Sequence, residues 1–81
     1  MPNEFKTMNG TVITEEDIGR TILIRGLNNE IKEGVLIDFN YKYHMVNVFS
    51  IKEKGIGEID PGCIYELGEH VNFNFIESYN Q

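Results

Sequence analysis

Cys63, His44 and His70 are the side chains in this sequence best suited to covalent chemistry. A cysteine–histidine pair works when a thiolate sits within hydrogen-bond reach of an imidazole that a third group orients. No orienting residue or local signature accompanies Cys63. It directly precedes the apolar run IYEL, where a half-buried structural thiol is the expectation. A metal site needs three or four clustered ligands. Two histidines, one cysteine and scattered carboxylates show no such spacing. The GIG at 55–57 lacks the lysine and the following helix of a phosphate loop, and reads as a turn entering a strand. The expectation is therefore binding rather than catalysis, with no cofactor and no metal.

The stretch NYKYH at 40–44 carries the strongest binding chemistry: Tyr41, Lys42, Tyr43 and His44 in one short polar segment. Aromatic faces beside a cation are what small domains use to stack bases or to hold peptides. The other reading is that Tyr41 or Tyr43 closes one end of the core. Charge bears on the partner. Seven Lys and Arg stand against thirteen Asp and Glu, for a net charge of −6 and a pI near 4.7. A broad phosphate-binding face requires the reverse balance. The acidic residues group as Glu15-Glu16-Asp17, Glu30 with Glu33, Glu58 with Asp60, and Glu66 with Glu69. They form either a solvated surface or a face that mimics nucleic acid. A protein partner, met by a binding or inhibitor protein, is the leading expectation. The alternative is an RNA or small nucleotide ligand held by Tyr41, Tyr43 and His44 with Arg20 or Arg25.

The elements that must position these residues are short and mostly β. Asn9-Gly10 between FKTM and TVIT is a hairpin signal, because both residues tolerate positive φ. Thr14 with Asp17 three residues later makes a capping box for one helical turn, ended by Gly19. RTILIR places Ile22 and Ile24 on one face. GLNNE is turn chemistry, and GVLIDFN alternates Val35, Ile37 and Phe39 against Leu36, Asp38 and Asn40. HMVNVFSI, apolar in part on both faces, predicts a central strand. Lys52–Gly55 is a polar turn before the short strand GIGEID. Asp60-Pro61-Gly62 is a tight or 3₁₀ turn before IYEL. VNFNF then alternates, with Val71, Phe73 and Phe75 on one side. The predicted core is Ile22, Ile24, Val35, Ile37, Phe39, Val46, Val48, Ile59 and Ile64.

Five short strands joined by tight turns predict an all-β, mainly β fold: a small, closed or nearly closed barrel. Residues 18–67 resemble the SH3-like and Sm-like small-barrel superfold. The resemblance is carried by Gly34 followed by Phe39 and Asn40 in GVLIDFN, and by Ile59 and Ile64 in IDPGCI. It implies five bent strands with a 3₁₀ turn before the fifth, preceded here by a hairpin or helical turn. Asn40 and Asp60-Pro61 stand where Sm proteins carry an aspartate and the Arg-Gly that clamps RNA, so the RNA site does not transfer.

The chain reads as one domain over residues 1–81, without repeats or linkers. It uses no Trp and no Ala and is rich in Ile, Asn, Lys and Glu, a bias that points to an AT-rich bacterial or phage genome. A lone cysteine fits a reducing compartment. No run nears the roughly 18 apolar residues of a membrane span, and the first ten residues lack a signal peptide's apolar stretch. The expectation is a cytoplasmic protein, in its own cell or a host's. A sixth strand with an apolar face and no place in a five-stranded barrel predicts a homo-oligomer with Val71, Phe73 or Phe75 at the contact; the other reading is that residues 71–76 fold back over the open end of their own barrel.

Overall fold

Asn9-Gly10 turns the chain as its residue types dictate, with Gly10 at φ 82° between β1 (Phe5–Lys6) and β2 (Val12–Ile13). The computed structural model describes residues 4–71. Thr14 then caps a 3₁₀ turn over Glu15–Asp17. Its side chain accepts from the Glu16 amide, and Asp17 closes the box on the Thr14 amide at 2.8 Å. Gly19, at φ 98°, releases the chain into the sheet.

Five antiparallel strands form that sheet in the order β6-β5-β4-β3-β7. They are β3 (Arg20–Arg25), β4 (Ile31–Asn40), β5 (Met45–Ser50), β6 (Gly55–Ile59) and β7 (Ile64–His70). The β3–β4 loop is built on Asn28 and Asn29, at φ 61° and 60°, a conformation asparagine accepts more readily than most residues. Asp60 caps the 3₁₀ turn Pro61–Cys63, its carboxylate accepting from the Gly62 amide at 2.8 Å. The fold is mainly β, as expected, and β7 runs on to His70 rather than ending with IYEL.

The barrel is not closed. Among the described residues β6 pairs only with β5 and β7 only with β3, so the sheet keeps two edges. Curvature enters at β4. Its first half pairs with β3 and its second half with β5, and the two ladders overlap at Gly34 and Val35. A Cβ at Gly34 would lie 2.6 Å from Val48 Cγ1 and 2.8 Å from the Phe49 carbonyl oxygen. Only glycine allows that approach.

A bulge between Leu36 and Asp38 then changes the side-chain phase. Leu36 and Phe39 share the main core with Phe5, Ile13, Ile22, Val46, Val48 and Ile64. Val35 and Phe49 pack on the other face with Ile37, Ile51 and Val71. Strict alternation of Val35, Ile37 and Phe39 against Leu36 is thus corrected, because the extra residue at Ile37 re-aims everything after it. Ile24, Ile37 and Ile59 are half-buried rather than buried, whereas Phe5, Ile13, Leu36 and Phe49 join the core. The N-terminal hairpin docks through the Met8 amide, which donates to the Ile64 carbonyl at 2.9 Å. Val71 donates to the Gly19 carbonyl at 2.8 Å. Phe73 and Phe75, with the rest of VNFNF, lie outside the described residues. No helix among the described residues is long and apolar enough to cross a membrane.

Two substitutions test this packing. Phe39→Ala removes a 7%-exposed ring from the main core and should cost about 3–5 kcal/mol in urea denaturation. Gly34→Ala forces a methyl against Val48 and the Phe49 backbone and should cost about 1–3 kcal/mol. Wild-type midpoints for both would mean that β4 neither buries Phe39 nor bends at Gly34.

Candidate functional site

The 41–44 turn joins β4 to β5, and Asn40 builds it. The Asn40 Oδ1 accepts from the amides of Lys42 and Tyr43 at 3.1 and 3.2 Å, while its Nδ2 donates to Glu58 Oε2 at 2.7 Å. His44 completes the turn at φ 55°. The side chain that local sequence reading treats as flanking is therefore the one that sets the loop's shape.

An aromatic cluster connects this turn to the core. Phe5 stacks on His44 with ring centres 4.2 Å apart and packs edge-on against Phe39 at 4.8 Å. Tyr41 lies parallel to Phe39 at 5.8 Å and edge-on to Phe5 at 5.6 Å. Tyr41 covers an end of the core yet remains 55% exposed. Tyr43 is 64% exposed, with the Lys42 ammonium 5.3 Å from its ring centre.

Beside this cluster lies a shallow groove of about 650 Å³ between the N-terminal hairpin, the Thr14-capped turn and the end of β4. Phe5, Phe39 and Tyr41 supply its aromatic side, and Glu4, Glu15 and Glu16 its charge. None of its described lining residues is cationic. Lys6 stands next to it, 3.8 Å from Glu4. The Tyr41 hydroxyl donates to Glu15 Oε2 at 2.9 Å. That hydrogen bond, with desolvation and the negative charges of Glu15 and Asp38, raises the Tyr41 phenol above its usual value.

The arginines considered with the tyrosines are engaged by other groups. Arg20 donates from Nε to the Gly68 carbonyl at 2.7 Å and from Nη1 to Asp17 at 2.9 Å, tying the capped turn to β7. Arg25, at the far end of β3, lies over the Tyr65 ring at 5.5 Å. No hydrogen bond joins Cys63 to His44 or His70. His44 stacks on Phe5, and His70 Nε2 lies 2.9 Å from the Glu16 carbonyl oxygen. Phe5, Phe39 and Glu15 join this cluster and were not foreseen as part of it, and Asn40, within NYKYH, was not foreseen as the residue that builds the turn. Glu15 meets Tyr41 across 26 residues of sequence, a contact no local pattern encodes.

No family model matches the chain, and no curated protein or solved structure proves similar to it.

The Tyr41–Glu15 hydrogen bond has a spectroscopic consequence. In an ultraviolet titration Tyr41 should ionise at higher pH than in Glu15→Ala, because removing Glu15 removes the acceptor and a nearby negative charge. The folded site therefore favours the neutral phenol, and that preference is lost as pH rises through its folded pKa. An unchanged Tyr41 titration in Glu15→Ala would show that the bond does not persist in solution.

Proposed function

We propose that the protein is a non-catalytic binding or inhibitory module that takes a basic segment of a partner protein into the groove beside Tyr41. The observation that carries this reading is one surface where the exposed Tyr41 ring, backed by the buried Phe5 and Phe39, lies beside three carboxylates, without a lining cation among the described residues. A lysine or arginine side chain satisfies both halves of such a surface. Its charge meets Glu15 and Glu16, and its stem or guanidinium lies against the Tyr41 ring. In a chain of net charge −6, the same field attracts basic partners over distance.

A phosphate-bearing ligand is supported less well. Arg20 is engaged by Asp17 and Gly68, and Arg25 sits over Tyr65 at the other end of β3. Lys42 alone supplies positive charge in the 41–44 turn. The likeness to SH3-like and Sm-like barrels is part of the same proposal. The strand order and the 3₁₀ turn before β7 support it, whereas the unpaired edges of β6 and β7 depart from a closed barrel.

Affinity capture from host lysate, read by mass spectrometry with and without nuclease, tests the reading. A partner with a lysine- or arginine-rich surface should be captured in both conditions and released by salt, as expected of charge-steered binding. Tyr41→Ala with Glu16→Gln should weaken capture by about 2 kcal/mol or more. Capture that disappears with nuclease, or persists undiminished in the double variant, would remove this groove from the protein's function.

A further inference from the structure

Glycine inside a strand has neither a side chain to pack nor a favourable entropy, so each one needs a reason. Gly34 has one in the close approach of Val48 and Phe49. Gly55 and Gly57 in β6 do not. A Cβ at Gly57 would meet nothing within 4 Å, one at Gly55 only the Glu53 carbonyl oxygen at 4.0 Å, and neither residue has positive φ. The register pairs Gly57 with Val48 and Gly55 with Ser50, so both face the side on which Val48 enters the main core. Their missing side chains leave a cleft of about 540 Å³ at the end of β5 remote from the 41–44 turn. Ile24, Val48 and Ile59 line it, and Leu27 and Ile56 stand exposed beside it.

β6 is also a sheet edge. Among the described residues it pairs only with β5, and Gly55–Glu58 are all exposed. An edge presents outward N–H and C=O groups that a second extended chain can pair with, and glycine marks places where another backbone comes close. The rim adds charge. Glu33 and Glu53 border the cleft without an ion pair among the described residues, whereas its two lining cations are engaged, Lys32 by Glu30 at 3.9 Å and Arg25 over the Tyr65 ring at 5.5 Å.

We propose that β6 accepts an extended segment of a partner protein as an added strand, with an aliphatic side chain seated over Gly57 and a neighbouring lysine or arginine meeting Glu33 or Glu53. This site is separate from the groove beside Tyr41 and stands or falls independently of it.

A random heptapeptide display library selected on the immobilised full-length protein provides the test. Sequences alternating aliphatic and basic residues should be enriched, and their binding should protect β6 amides from hydrogen exchange. Gly57→Val fills the cleft with a residue suited to strands and should bind the selected peptides at least ten-fold more weakly. Should Gly57→Val fail to fold, the exposed pair Glu33→Lys and Glu53→Lys should produce the same loss. The proposal is overturned by no enrichment over bare support, by equal binding to the variants, or by protection outside β6. It is equally overturned if the cleft enriches no peptide but binds the dye anilinonaphthalene sulfonate in a Gly57-dependent way, which would assign it to small apolar ligands.

Discussion

The close passage of Gly34 beneath Val48 and the Phe49 backbone is the constraint on which the rest of the molecule depends. With a side chain there, β4 could not curl, and the ladders to β3 and β5 would compete for the same stretch of strand rather than meet at Gly34 and Val35. Because β4 bends, its two ends serve different surroundings. Lys32 and Glu33 border the cleft of β6, while Phe39 and Asn40 reach the aromatic turn. A domain this small buries a modest share of its surface, so the bend also gathers the main core on the inside of the curve.

The bulge after Leu36 is the second determinant. It moves Phe39 onto the inner face, where Phe39 meets Phe5 and Tyr41. Core and surface are thus parts of one aromatic cluster: Phe5 is 3% exposed and Tyr41 55% exposed, with ring centres 5.6 Å apart. A side chain anchored this way has little freedom left to lose in any contact made on this surface. Two of the carboxylates beside it, Glu15 and Glu16, come from a different element, the Thr14-capped turn, fixed to β7 through Arg20 and His70.

Local chemistry was legible in the sequence where a residue type has a narrow conformational meaning. Asn9-Gly10, the Thr14–Asp17 capping box and Asp60-Pro61 each formed the turn their residues specify. Strand identity was legible too, and the inward face of β3 followed simple alternation through Ile22. Alternation failed in β4 because a bulge inserts a residue without leaving a mark in hydrophobic pattern, so Phe39 left the face of Val35 and Ile37 and joined Leu36 in the main core. The 41–44 turn stood out by its composition. Its partners did not, since Phe5 and Glu15 reach it through tertiary packing alone. Arg20 looked available for a ligand because sequence cannot show that Asp17 and Gly68 already engage it.

Site-specific photo-cross-linking tests the proposed contact between the surface beside Tyr41 and a basic protein segment. A benzoylphenylalanine in place of Glu16, within the groove, should form in cells an adduct to one protein, mapping to a lysine- or arginine-rich segment. The same probe at Lys52, in the turn at the other end of β5, should not label that segment. An adduct to nucleic acid, or equal labelling of the same segment from both positions, would contradict the account.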